Sequence, residues 1–212
     1  MDRVKIKAKA KELISGKIFI LLAITLVTAV VGAVCGLIPV AGGIAMLLIM
    51  GGFELATAMI YLGIAKKNRT PKIEDLLEGF KGENFMRGFE GYIRYTLFTA
   101  LWSMLFVIPG IIKSIEYSQM FYLMADNPKM SAGEAQKKSM EMMQGHRWEF
   151  FVWNLSFIPW FMLVGITFGI AAIYVTPYMS TTFALYYRGL AEKNSPIEKI
   201  KEAVEAKVKK SK

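Results

Sequence analysis

Six uncharged or nearly uncharged runs constrain what this chain can fold into: 18–38, 40–65, 95–112, 114–125, 150–168 and 170–187. Together they take up more than half of the 212 residues. Several are close to the roughly 20 residues of helix that match a bilayer's hydrocarbon thickness, and a soluble core cannot absorb that many. The pattern predicts an all-α, polytopic transmembrane helical bundle. It excludes a soluble enzyme, a secreted disulfide scaffold and a disordered tail protein.

The rarest reactive side chains narrow the chemistry. Cys35 is the one cysteine, so an intrachain disulfide is impossible, and its apolar neighbours mark it as a small buried residue. His146 is the one histidine; Glu149 lies one helical turn away, but two ligands are too few for a closed zinc site. No metal or other cofactor is expected. The first seventeen residues are basic and lead into a run too long for a signal-peptide core, with no small-residue cleavage site closing it, so a retained first span is expected.

Lysine and arginine set the expected orientation. Six precede the first run, seven lie between the second and third, four between the fourth and fifth, and eight follow the last. Only Lys113, one of 26, falls at an intervening turn. Six crossings with cytoplasmic N- and C-termini, in the cell membrane, place all four basic segments on one side. Spans are expected near 18–38, 40–65, 95–112, 111–125, 150–168 and 170–187, within a single domain 1–190. The fourth element is short, about 18 Å of helix over 114–125, and so is tilted or re-entrant after a break at Pro109-Gly110. A four-crossing version, in which 95–125 dips in and out, has the same parity.

The basic segments carry helix signals of their own. Ser131 and Glu134 form a capping box, and Gly145 is placed to end the helix that follows. The spacing of Ile73, Leu76, Leu77 and Phe80 predicts a half-buried amphipathic helix. Ser195-Pro196-Ile197-Glu198 opens a basic amphipathic tail over 191–212, with Ile197, Ile200, Val204 and Val208 as its apolar stripe. Anionic inner-leaflet lipids are its expected partner; other membrane proteins, or a second copy of the chain, are further candidates.

The stretch LFVIPGIIKSIEYSQMFYLMADNP (105–128) precedes SMEMMQGHRWEFF (139–151), LSFIPW (155–160) and TPYMSTTFALYYRGL (176–190). In this order they resemble the bacterial integral membrane family known as domain of unknown function 975, as does IEDLLEGFK (73–81). The chain departs from that pattern at Pro159. The resemblance implies a multi-pass bacterial membrane protein and no particular reaction.

Glu54 is the outstanding candidate, a carboxylate near the middle of run 40–65 among Gly51, Gly52, Ala56 and Ala58. An ionisable group at that depth costs several kcal/mol unless paired, protonated or wetted, and is by default a functional residue. Hydroxyls of Thr96, Thr99, Ser103, Tyr117 and Thr181 are candidate donors to it. A second cluster surrounds Pro159 and Pro177, prolines inside the last two runs: Asn154 and Ser156 near the first, Thr176, Tyr178, Ser180, Thr181 and Thr182 near the second. The candidate ligand-binding set is therefore Glu54, Asn154, Ser156, Thr176, Tyr178 and Thr181. The chain carries no phosphate loop, GxSxG or HExxH motif, and its cations are dispersed, which disfavours both enzyme and nucleic-acid roles. The reading is a non-enzymatic carrier or binder of a small or lipidic ligand. The alternative is a membrane-embedded accessory protein.

Overall fold

The computed structural model describes residues 2–38 and 41–194; of Ala41, Gly42 and Ile44 only the backbone is described. The expected tail helix beyond Ser195 lies outside the described residues, which are mainly helical and contain no strand. Among the described residues, three helices are long and apolar enough to cross a membrane: Ile18–Gly36, Ala45–Lys67 and Arg147–Ile166.

Helix α1 (Arg3–Ile14) starts where Asp2 Oδ1 accepts the amides of Val4, at 3.0 Å, and Lys5, at 3.3 Å. These amides would otherwise have no partner. Helices α2 (Ile18–Gly36) and α3 (Ala41–Lys67) follow. Between α3 and α4 (Glu83–Leu105), Ile73–Phe80 is a 3-10 helix rather than the expected α-helix. With three residues per turn, Leu76 and Gly79 share the buried ridge and Leu77 turns outward. Close backbone approach fixes both elements on α3. A methyl group built on Gly79 would overlap the carbonyl oxygen of Gly52, and one on Gly51 would overlap that of Gly88 in α4.

The expected break at Pro109-Gly110 falls earlier, at Phe106, whose extended backbone (φ −158°, ψ 145°) separates α4 from α5 (Val107–Tyr117). The shift has a physical cause. Proline lacks an N–H and its ring clashes with the carbonyl four residues back, so it fits a helix without cost only in the first turn, where Pro109 now sits. The same rule puts Pro159 at the second position of α9 (Ile158–Ile166), interrupting the fifth run after α8 (Arg147–Leu155). Pro177, by contrast, lies inside α10 (Ala172–Lys193).

Helix α6 (Met120–Asp126) continues from α5, so the fourth element starts at residue 107 and is longer than 111–125. Helix α7 (Ala132–Met143) has the expected capping box: Ser131 Oγ accepts the Glu134 amide, and Glu134 Oε2 accepts the Ser131 amide. Gly145, at φ 77°, terminates the segment as expected.

Two buried clusters hold the bundle. One gathers Met120, Leu123, Met143, Trp153, Tyr186 and Tyr187; the other gathers Leu21, Ile24, Ile60, Ile64, Phe157 and Tyr178. Apolar residues left open to the surroundings concentrate at the helix-hairpin tips. Leu37, Phe106, Val107, Ile108, Ile166, Phe168 and Ile170 are each 69% exposed or more.

Candidate functional site

Glu54 occupies the middle of α3, one residue before the fully buried Leu55. Its side chain is nevertheless accessible, because it borders two cavities. The larger, about 560 Å³, is walled by Tyr92 and Tyr95 of α4, Ser114 and Tyr117 of α5, Phe121 of α6, Phe150, Phe151 and Asn154 of α8, and Phe183 of α10. The smaller, about 210 Å³, lies toward α2 and α10, with Thr25, Thr28, Thr57, Tyr61, Thr176 and Ser180 in its wall. Glu54 is the charged residue in both walls. Among the described residues its carboxylate has no hydrogen bond or ion pair; only its backbone carbonyl is engaged, by the Thr57 hydroxyl at 3.0 Å.

The structure divides the expected site residues into three groups. Asn154 shares the larger cavity with Glu54, its Nδ2 donating to the Phe150 carbonyl at 2.9 Å. Thr176 shares the smaller one. Ser156 and Tyr178 instead form the seat of α1. Lys7 Nζ donates to Ser156 Oγ at 2.7 Å and stands 4.4 Å from the Phe157 ring centroid, while Lys11 Nζ lies 5.7 Å from that of Tyr178. Burial there and the neighbouring Arg3 and Lys11 charges lower the pKa of Lys7. Thr181 is fully buried, and its Oγ1 has no partner among the described residues. Of the other donors expected for Glu54, Tyr117 lines the larger cavity; Thr96, Thr99 and Ser103 line neither.

Sequence reasoning missed the ring wall formed by Tyr92, Tyr95, Phe121, Phe150, Phe151 and Phe183. The spacing of Tyr92 and Tyr95, one turn apart, was the available signal; the remaining rings converge from three separate helices. It also missed the role of Lys113. Glu116 is buried, with Lys113 Nζ 2.7 Å from Oε2 and Arg147 Nη2 2.6 Å from Oε1. Lys113 is thus linked through one carboxylate to Arg147, the cation that opens α8, and it does not stand alone at a turn. His146 Nδ1 lies 2.9 Å from Glu149 Oε2. Among the described residues no group of three or more His, Cys, Asp or Glu is arranged to hold a metal ion.

Comparison with known proteins gives one match. Residues 104–194 match the model of a family described as a protein of unknown function, DUF975. The matched region includes α5 to α10 and with them most of the ring wall; α3, Glu54 and the 73–81 motif lie outside it. No curated protein and no solved structure matches the chain.

Proposed function

We propose that this chain is a non-enzymatic membrane protein of the bacterial cell membrane that binds a small or lipidic ligand in the cavity beside Glu54. The observation that carries the reading is a carboxylate at the centre of an apolar helix that is left without a partner among the described residues and is open to a cavity of about 560 Å³. A group so placed costs several kcal/mol unless something binds it, and the cavity falls within the size range of ligand sites.

The basic segments face the cytoplasm, both termini included, and the number of crossings is even. The geometry of α4 and α5 favours the four-crossing form over six. From Arg94, ion-paired with Glu90 at 2.7 Å, to the tip at Phe106 is about 18 Å of helix, well short of a hydrocarbon core of about 30 Å. The return through Lys113 to an ion-paired carboxylate shared with Arg147 supports the same geometry. Helices α4 and α5 therefore dip into the membrane and return. The crossings are α2, α3, α8 with α9, and α10.

The test compares wild type with Glu54→Gln, which keeps shape and hydrogen bonding. Thermal unfolding is followed in detergent with and without total lipid extract from the membranes that make the protein. The binding reading predicts a larger extract-induced rise in Tm for wild type; equal rises oppose it. A second reading, a membrane-embedded accessory protein, draws on a groove along α4 lined by Met86, Phe89, Ile93, Leu97 and Phe98. It predicts that Glu54→Gln is silent or stabilising.

A further inference from the structure

We infer that the larger Glu54 cavity selects a ligand bearing an ammonium group, an inference that rests on the binding reading above. A carboxyl group stands at one side of the cavity, and among the described residues no lysine, arginine or histidine lines it. The cations nearest in sequence to its wall are already engaged: Arg94 by Glu90, and Lys113 and Arg147 by Glu116. The protein thus leaves the counter-charge to whatever enters.

The rest of the wall suits a cation. Seven rings line it, six of them those of Tyr92, Tyr95, Phe121, Phe150, Phe151 and Phe183, the seventh that of Tyr117. The negative face of an aromatic ring attracts an ammonium group, most strongly where water is displaced. Ser114, Ser118 and the Asn154 side-chain oxygen add acceptors for N–H donors. An anionic ligand would meet an ionised Glu54 with like charge, whereas an ammonium group stabilises the ionised carboxylate, the form that burial disfavours. Two sources carry the same chemistry, a free organic amine or a zwitterionic lipid headgroup such as ethanolamine.

Choline and its neutral isostere 3,3-dimethylbutan-1-ol, titrated calorimetrically into the purified full chain in detergent, separate charge from shape. Nanodiscs of phosphatidylglycerol with and without phosphatidylethanolamine test the lipid source. The inference predicts one of two outcomes. Either choline binds at least about tenfold more tightly than its isostere, the difference vanishing in Glu54→Gln, or phosphatidylethanolamine raises Tm in wild type but not in Glu54→Gln. The first outcome identifies a free amine, and the second a lipid headgroup. Phe121→Leu, which keeps the apolar wall but removes a ring, should weaken the cationic ligand alone, and it serves if Glu54→Gln does not fold. Equal binding of choline and isostere with no phosphatidylethanolamine effect overturns the inference, as does cation binding unchanged in both variants. If the lipid extract still stabilises wild type more than Glu54→Gln, the binding reading survives that failure. If the extract has no differential effect, both fall.

Discussion

Glu116 shows how one residue can hold three elements. Its carboxylate takes Lys113 from its own helix and Arg147 from α8, and its backbone carbonyl accepts the Ser139 hydroxyl of α7 at 2.6 Å. Removing the buried carboxylate leaves two partly exposed cations uncompensated, a loss smaller than the roughly 3–5 kcal/mol of a fully buried pair. Glu116→Gln should therefore lower the unfolding midpoint in detergent, and adding Lys113→Met should restore part of it. A double variant no more stable than Glu116→Gln would show that Lys113 is not coupled to that carboxylate. Glu54 is the opposite case, because among the described residues its carboxylate has no partner to lose. Its place in a long apolar run, and its candidacy with it, was legible from sequence because one carboxylate interrupts that run. The exclusion of Ser156 and Tyr178 from its cavity was not, since that depends on where Lys7 and Lys11 of a distant helix come to rest.

At the scale of the elements, local signals were the readable ones. The Ser131–Glu134 box and the Gly145 terminus are decided within four residues, and both were found as expected. Glu134 has its pKa lowered chiefly by the Ser131 amide and then by the Ser131 hydroxyl. A depressed carboxylate contributes stability that is present above its unfolded pKa, about 4.3, and is lost as pH falls through the lower folded value. Amide exchange at the start of α7 should therefore accelerate below that range in wild type. In Ser131→Ala it should already be faster at neutral pH, with a loss of about 1 kcal/mol. Exchange unaffected by either change would discount the cap. Positions set by packing were harder to read. The seat of Ile73–Phe80 against α3 rests on the close approach of Gly79 to Gly52, which no periodicity reveals. Gly51→Ala should force α4 away from α3 and cost several kcal/mol by overpacking, measured as the shift in thermal midpoint.

At the scale of the whole molecule, the all-helical class and three membrane-length apolar helices were legible because run length and hydropathy specify them directly. The number of crossings was not, because charge parity is the same for four or six. The short reach of α4 from Arg94 to the Phe106 tip is what favours four. With Cys35→Ala as background, Phe106→Cys should resist a membrane-impermeant maleimide added from the outer face of intact cells. Labelling from that face would mean that α4 crosses fully. The ring-walled cavity was hidden for a related reason: α3, α4, α5, α6, α8 and α10 all contribute to it, and only the assembled bundle brings their side chains together.

If Glu54 governs occupancy of that cavity, native mass spectrometry of protein released gently from its own membranes will register the occupant itself. A stoichiometric adduct is expected on wild type and should be lost or greatly reduced on Glu54→Gln, with both proteins folded and inserted to the same extent. Adducts of equal mass and abundance on the two proteins would contradict a governing role for Glu54.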